Sequence, residues 1–133
     1  MNPPGGDAEL LARGYIREVT TALESLNLAI VARIVEAMWT TYEADGQIFL
    51  IGNGGSAATC SHIGTDLAKG VLGHHGDAPA RPVRARSLID NVAVITAWAN
   101  DVGFDHVFVG QLQTHLRRGD VVVALSASGN SPN

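Results

Sequence analysis

The sequence predicts an α/β fold in which a parallel sheet carries helices on both faces, as a three-layer αβα sandwich, preceded by an N-terminal pair of helices. Two observations predict it. After residue 46, short apolar runs alternate with segments of helical periodicity, which is typical of strands joined by crossover helices. Before residue 46, apolar residues recur at helical spacing in two successive segments.

Length and composition favour one folded domain. The chain has 133 residues, of which 46% are hydrophobic and 17% charged, enough apolar material for a core. The net charge of −4 and the absence of a basic block argue against nucleic-acid binding. One cysteine, Cys60, excludes an intrachain disulfide, and the first ten residues do not resemble a signal peptide. We therefore expect a cytoplasmic protein without a membrane span.

The N-terminal part divides into a predicted flexible tail, residues 1–6, and a helical pair over residues 7–45. Asp7 is a plausible N-cap of the first helix. The second helix is predicted over Asn27–Ala44, and its apolar residues cover more than one stripe. One face can pack within the chain while another remains for a second copy, so we expect oligomer contacts here.

Residues 46–133 contain the predicted sheet. Gln47–Ile51 and Val121–Leu125 are almost entirely apolar, as strands buried on both faces are, and Val83–Leu88 is a weaker strand candidate. Residues 70–82 are predicted to form a loop. Helices are predicted from Ser56 to Lys69, after a cap at Asp90, and over His106–Arg117.

The C-terminal segment predicts the start of a further helix, because Ser131 suits an N-cap and Pro132 suits the first helical position. Three strands would also leave a hydrophobic sheet edge uncovered. We therefore expect the chain to be a fragment that ends after the third strand of a longer domain, or to be completed by another element.

Two loops follow the two strongest strands, where open α/β sheets bind ligands. Gly52–Ser56 contains three glycines and precedes a helix N-terminus, and Ser126–Ser131 contains three hydroxyls. Each loop alone could be only a tight turn or a capping segment. Together they favour an anion site built from neutral donors. Neither loop matches the Walker A or GxGxxG pattern, which disfavours ATP and NAD.

His62 and Asp66 lie four residues apart on the predicted third helix, so their side chains share one face. This spacing suits two ligands of one metal ion, but a surface His–Asp contact is the commoner explanation. Cys60 is interpreted as a small buried residue rather than a nucleophile, because no base is recognisably paired with it. Trp39 and Trp98 are expected in the core or an interface.

Three blocks of sequence resemble the SIS (sugar isomerase) domain family, and most closely its phosphoheptose isomerases. They are Ile51–Ala58 with His62 and an acid at position 66, Trp98–Phe104 followed by Val107-Phe108, and Leu125–Ser131. They occur in the family's order and at similar spacing. The resemblance extends over residues 10–133, which would be the first two-thirds of a family member, and implies a flavodoxin-like arrangement.

The resemblance also implies roles for individual residues. His62 and Asp66 would be zinc ligands in those members that bind the metal, and Asp66 would also take part in proton transfer. Ala127 would act through its backbone. The substrate and phosphate contacts would be Asn53, Gly54, Gly55, Ser56, Asn100, Asp101, Ser126, Ala127, Ser128 and Ser131.

This sequence departs from the family at Asp66, where phosphoheptose isomerases have Glu. The carboxylate reach is shorter by about 1.5 Å, and a misplacement of about 1 Å can lower a rate about 100-fold. The family's other metal ligands, a Gln and a His, belong to its C-terminal third. His74, His75, His106 and His115 match no motif that would replace them.

The implied activity is the isomerisation of sedoheptulose 7-phosphate to D-glycero-D-manno-heptose 7-phosphate through an enediolate, by a homotetramer or dimer. SIS domains also serve as non-catalytic phosphosugar sensors and as assembly proteins in the initiation of DNA replication, which is the alternative. Isomerisation of a hexose phosphate or processing of an amino-sugar phosphate is a third possibility.

Overall fold

The computed structural model describes residues 5–69 and 81–133. Positions 1–4 of the predicted tail and positions 70–80 of the predicted loop lie outside the described residues. The first helix begins at Gly5, so residues 5 and 6 are helical and Asp7 lies in the first turn instead of at the N-cap. The helices are α1 (Gly5–Glu24), α2 (Leu28–Glu43), α3 (Gly55–Lys69), α4 (Val92–Asp101) and α5 (Val109–His115), with a short 3-10 helix at Phe104–His106. The strands are β1 (Ile48–Gly52), β2 (Ala85–Ser87) and β3 (Val121–Leu125).

The three strands form one parallel sheet in the order β2-β1-β3, which confirms the predicted fold class. Ile48 pairs with Ala85 on one side and with Val121 on the other, and the pairing of β1 with β3 continues to Gly52 and Leu125. Because all three strands run in one direction, their carboxyl ends lie along a single edge of the sheet. The two loops that the sequence predicts as an anion site, Gly52–Ser56 and Ser126–Ser131, both lie at that edge.

Helices cover both faces of the sheet. Successive residues of β1 point to opposite faces, so each contacts helices on its own side. Phe49 packs in a cluster with Leu88, Val107 and Phe108, and Trp98 packs against the same cluster from α4. Leu50, on the other side, lies against Gly64 of α3. The complete burial of Phe49 and Leu50 explains why β1 is apolar at every position but its last.

Trp98 is partly buried in the core cluster, as predicted, and its ring lies directly against the backbone of Gly110. A Cβ atom at position 110 would overlap that ring, so only glycine allows α5 to approach α4 this closely. Trp39, in contrast, is mostly exposed and lies beside Tyr42 with the ring centroids 5.4 Å apart.

The predicted cap at Asp90 is wrong by one residue. Asn91 is the N-cap of α4, and its Oδ1 accepts a hydrogen bond from the backbone N–H of Val94 at 3.2 Å. The Asp90 carboxylate instead accepts a hydrogen bond from the Ser61 hydroxyl of α3. The fifth helix is also shorter than predicted, because residues 104–106 form the separate 3-10 helix.

Contacts divide the chain into two compact units, residues 1–36 and 37–133, with the division inside α2. Within the first unit, Asn27 caps α2 by accepting from the N–H groups of Ala29 and Ile30. The apolar side chains of α1 are mostly exposed, including Leu10, Leu11, Tyr15, Ile16 and Leu23. Over residues 5–69 and 81–133, no helix combines the length and the apolar character that a membrane crossing requires.

Candidate functional site

The first candidate loop connects β1 to α3 within two residues, and its geometry requires glycine at positions 52 and 54. A Cβ atom at Gly52 would lie 3.0 Å from the carbonyl oxygen of Leu125 and 3.1 Å from the Cβ of Ser56. Gly54 has a φ of 53°, in the left-handed region that other residues adopt at a cost. The loop therefore brings the start of α3 close to the ends of both strands.

The N-terminus of α3 presents free donors at this edge. The carbonyls of Asn53 and Gly54 accept from the N–H groups of Ala57 and Ala58, which closes the first helical turn. Within the described residues, the N–H groups of Gly55 and Ser56 have no acceptor. Unpaired amides at a helix start, with the positive end of the helix dipole behind them, suit an anion.

The second candidate loop follows β3 and is held by its own serine side chains. The Ser126 Oγ accepts from the N–H of Gly129 at 3.0 Å, and the Ser128 Oγ accepts from the N–H of Asn130 at 3.2 Å. A serine oxygen that accepts a backbone hydrogen bond keeps its own hydrogen for another acceptor. These exposed hydroxyls are therefore fixed in position and still able to donate to a phosphate oxygen.

Ser131 lies near the other serines, with its Oγ 3.5 Å from the Ser126 Oγ. The backbone N–H of Ala127 forms no hydrogen bond to any residue in the described parts of the chain. The loop can therefore offer hydroxyl and amide donors on one small exposed surface. No lysine or arginine is needed for such a surface to attract a phosphate.

The sheet and one pair of amides bring the two loops together. Gly52 and Leu125, the last residues of their strands, are partners in the sheet. Asn53 donates from Nδ2 to the Oδ1 of Asn133 at 2.8 Å, and Asn133 donates from its Nδ2 to the Oδ1 of Asn53 at 3.0 Å. Sequence reasoning did not single out Asn133. The available signal was an amide side chain two residues after the last serine of a loop at the same edge.

Asn100 and Asp101 lie in the last turn of α4, and their side chains hydrogen-bond to each other at 2.8 Å. The helix begins after β2 and its ten residues extend about 15 Å. In the described residues no hydrogen bond connects either side chain to the two loops. The hydrogen bonds of one chain thus join the first and third blocks of the sequence pattern, whereas the second block contacts the first through its apolar residues Trp98, Val107 and Phe108.

His62 and Asp66 are neighbours on an exposed face of α3, as their spacing predicts. The His62 Nε2 lies 3.3 Å from the Asp66 Oδ2, and both side chains are largely exposed. Two donors about 2.0 to 2.1 Å from a tetrahedral zinc ion would be about 3.3 Å apart, so the pair fits two corners of such a site. No third His, Cys, Asp or Glu joins them among residues 5–69 and 81–133.

Cys60 lies on the opposite, buried side of α3, beneath the loops. Its thiol donates to the carbonyl oxygen of Ile51 at 3.2 Å. Burial raises the pKa of the Cys60 thiol, a hydrogen bond from the backbone at Leu125 lowers it in part, and the charge of Asp90 raises it. The thiol is therefore kept protonated, which agrees with its interpretation as a buried structural residue.

These features define a class: an α/β domain that presents backbone amides and serine hydroxyls at the carboxyl edge of a parallel sheet. The chain belongs to the SIS domain family, whose model matches residues 14–133. The sequence pattern that resembled this family is thereby confirmed.

Curated relatives refine the placement. The chain is 39% identical over 103 residues to the phosphoheptose isomerase of Rhodospirillum rubrum. The matched region covers 77% of this chain and 52% of that protein. It is 36% identical over 116 residues to the phosphoheptose isomerase of Citrifermentans bemidjiense, covering 87% of this chain and 58% of that protein. The chain thus spans little more than half the length of these relatives.

Solved structures agree with the sequence relatives. The fold matches phosphoheptose isomerase GmhA from Neisseria gonorrhoeae with a TM-score of 0.80 and 31% identity, over 95% of this chain and 64% of that one. It matches a phosphoheptose isomerase from Francisella tularensis with a TM-score of 0.79 and 26% identity, over 96% and 65% of the two chains.

Proposed function

We propose that the protein carrying this chain is a phosphosugar isomerase, and that its substrate is sedoheptulose 7-phosphate, which it converts to D-glycero-D-manno-heptose 7-phosphate. The observation that carries the proposal is the meeting of the glycine loop and the serine loop at one sheet edge, through the pairing of Gly52 with Leu125 and the Asn53–Asn133 amides. The names and identities of the relatives support the reaction class.

In this proposal the serine loop anchors the phosphate. Ser126, Ser128 and Ser131 donate from their hydroxyls and Ala127 from its backbone, so the phosphate is held by neutral groups. A site of this kind binds an anion without a neutralising lysine or arginine. Asn53 and the first turn of α3 contact the sugar portion, because they lie directly beyond the paired strand ends.

The chemical step is a proton transfer between adjacent carbons. A base removes a proton from C1 of the ketose while the carbonyl oxygen O2 gains a proton, which gives the enediol or its anion. Delivery of a proton to C2, with loss of the proton on O1, then completes the aldose. Asp66 is the proposed base, since it is an exposed carboxylate at the position of the acid in the family's first sequence block.

Zinc is the proposed metal, with His62 and Asp66 supplying two of its ligands. The 3.3 Å separation of Nε2 and Oδ2 supports their acting as a pair. When bound, such an ion polarises a carbonyl oxygen and stabilises negative charge on it. Within one chain, residues 5–69 and 81–133 supply no third candidate beside the pair, so the other ligands would come from the rest of the protein or from another copy.

The direct test is an assay of the full-length protein with sedoheptulose 7-phosphate in D2O, followed by proton NMR. We expect aldose to form with deuterium entering at C2. Asp66→Asn should lower the rate about 100- to 10,000-fold, the usual contribution of a general base, while binding persists. Asp105→Asn, which changes another exposed acid, is the matched control. Binding without turnover or exchange under any metal condition would contradict the proposal.

A phosphosugar-binding protein without turnover is the second candidate. The observation in its favour is the side chain at position 66, where Asp stands in place of the family's Glu and is 65% exposed. A shorter carboxylate would weaken proton transfer before it weakened phosphate anchoring by a different loop. Asp66→Glu separates the two candidates, because a large gain in turnover would indicate a site that has lost catalysis.

We also propose a homo-oligomer, as a tetramer or dimer, in the cytoplasm. The exposed apolar residues of α1 and α2 support association, since a lone chain would leave this surface in water. The single free thiol supports a reducing compartment. Light scattering of the full-length protein that gave a monomer at high concentration would overturn the oligomer.

A further inference from the structure

The amide pair of Asn53 and Asn133 is the longest-range side-chain link at the candidate site, with a sequence separation of 80 residues between its members. Each side chain donates once and accepts once, at 2.8 and 3.0 Å. Both residues are half-buried. Such a reciprocal pair fixes two amide planes relative to each other, as a single hydrogen bond would not.

The amide pair joins the two loops at a second point, beyond the end of the sheet. Gly52 and Leu125 hold the two loops together at their stems. Asn53 follows Gly52 directly, whereas Asn133 comes after the whole serine loop. The returning segment therefore ties the far end of the serine loop to the start of the glycine loop, and residues 126–132 are anchored at both ends.

The amides are oriented but not saturated. An asparagine amide carries two N–H hydrogens and two acceptor lone pairs, and the reciprocal pair uses one of each. A flip of Asn53 alone would set N–H against N–H and oxygen against oxygen at Asn133. Asn53 is thus held with one defined donor and one defined acceptor still available to a ligand hydroxyl.

We propose that Asn133 is a positioning residue of the phosphosugar site: it fixes the Asn53 amide in the orientation in which that amide contacts the sugar hydroxyls. This inference rests on the proposed binding of a sugar phosphate. Asn133 acts through Asn53, so its effect falls on recognition of the sugar more than on recognition of free phosphate, which the serine loop holds by itself.

The test is a double-mutant cycle on the full-length protein, with sedoheptulose 7-phosphate and inorganic phosphate as calorimetric ligands. Asn133→Ala should weaken sugar-phosphate binding about tenfold, equivalent to about 1.4 kcal/mol, with a change below about threefold for inorganic phosphate. Asn53→Ala with Asn133→Ala should bind no more weakly than Asn53→Ala alone, because the two residues act as one unit.

Two further variants guard against a merely structural effect. Asn133→Gln keeps both the amide donor and the amide acceptor on a longer side chain, so it should bind the sugar phosphate more tightly than Asn133→Ala. Gln113→Ala removes an exposed amide of α5, outside both loops, and it should stay within about twofold of the wild type. Thermal unfolding of each variant identifies any that fails to fold.

The inference is overturned if Asn133→Ala binds the sugar phosphate as the wild type does, or if the effects of the two alanines simply add. It is also overturned if both ligands lose affinity equally. If the wild type itself does not bind the sugar phosphate, the proposed function fails and the inference falls with it, which the wild-type titration shows before any variant is compared.

Discussion

The two loops at the carboxyl edge of the sheet both present hydrogen-bond donors, but different physical features hold each loop in its conformation. The glycine loop is shaped by its backbone: Gly52 has no room for a side chain, and Gly54 has a positive φ. The serine loop is shaped by side chains, since Ser126 and Ser128 hydrogen-bond to the backbone three and two residues ahead. One loop is specified by the side chains it lacks and the other by those it carries.

This difference predicts how each loop fails. A substitution of Gly52 in the glycine loop should disturb folding first, because backbone atoms of β3 and α3 crowd this residue. A substitution in the serine loop should disturb ligand binding first, because its hydroxyls are exposed and brace only their own turn.

The largest effect is expected from the double substitution of Ser126→Ala and Ser128→Ala. A hydrogen bond to a charged group contributes about 1.5 to 3 kcal/mol, so losing two should weaken sugar-phosphate binding at least about 100-fold. Inorganic phosphate binding should fall in parallel, since both hydroxyls face the anion. Calorimetry measures both ligands, and Thr96→Ala, an exposed hydroxyl of α4, is the control. Unchanged phosphate affinity would remove the serine loop from the site.

A smaller effect, on stability, is expected at the glycine loop. Gly52→Ala would place a Cβ atom 3.0 Å from the Leu125 carbonyl oxygen and from the Ser56 carbonyl carbon. Such crowding should lower the free energy of unfolding by about 1 to 3 kcal/mol, measured by urea denaturation. Gly55→Ala is the matched control, because a Cβ atom added there would have no neighbouring atom within 4 Å.

The control should behave oppositely. Gly55 lies in the first turn of α3 and has no positive φ, so alanine there should leave stability unchanged or raise it by up to about 1 kcal/mol. If Gly52→Ala proved as stable as Gly55→Ala, the loop would have room to shift, and the contrast between a backbone-shaped and a side-chain-shaped loop would be lost.

The smallest effect concerns Cys60 beneath the loops. Burial raises the pKa of its thiol above the ordinary value of about 8.5, so an unfolded chain releases this proton at a lower pH than the folded one. The contribution of Cys60 to stability is therefore intact below about pH 8.5 and is lost as the pH rises through the folded pKa. Urea unfolding from about pH 7 to about pH 10 should show a decline that Cys60→Ala reduces. An equal decline in both proteins would contradict the assignment.

Sequence alone predicted the sheet and its two main loops because complete burial leaves a plain signal. Residues such as Phe49 and Leu50 are apolar at consecutive positions, which a strand covered on both faces requires. The cap of α4 was misassigned because Asp90 and Asn91 have similar capping preferences. The choice between them depends on Ser61 of α3, which binds the Asp90 carboxylate, and no local pattern reports that contact.

The candidate site was predicted in its parts but not in its assembly. Glycines and serines after strands can be found by local rules, and the spacing of His62 and Asp66 was correctly assigned to one exposed helix face. Asn133 was missed because its role depends on a partner 80 residues away. Asn100 and Asp101 belong to the same family pattern as the two loops. Within the described residues of one chain, however, their side chains hydrogen-bond only to each other.

If the two loops form one phosphosugar site, both should respond when the full-length protein is titrated with sedoheptulose 7-phosphate and its backbone amides are followed by NMR. We expect the amides of Gly54 and Gly55 and those of Ala127 and Ser128 all to respond, with the same dissociation constant. Signals that change in only one loop, or with different constants in the two, would contradict a single site.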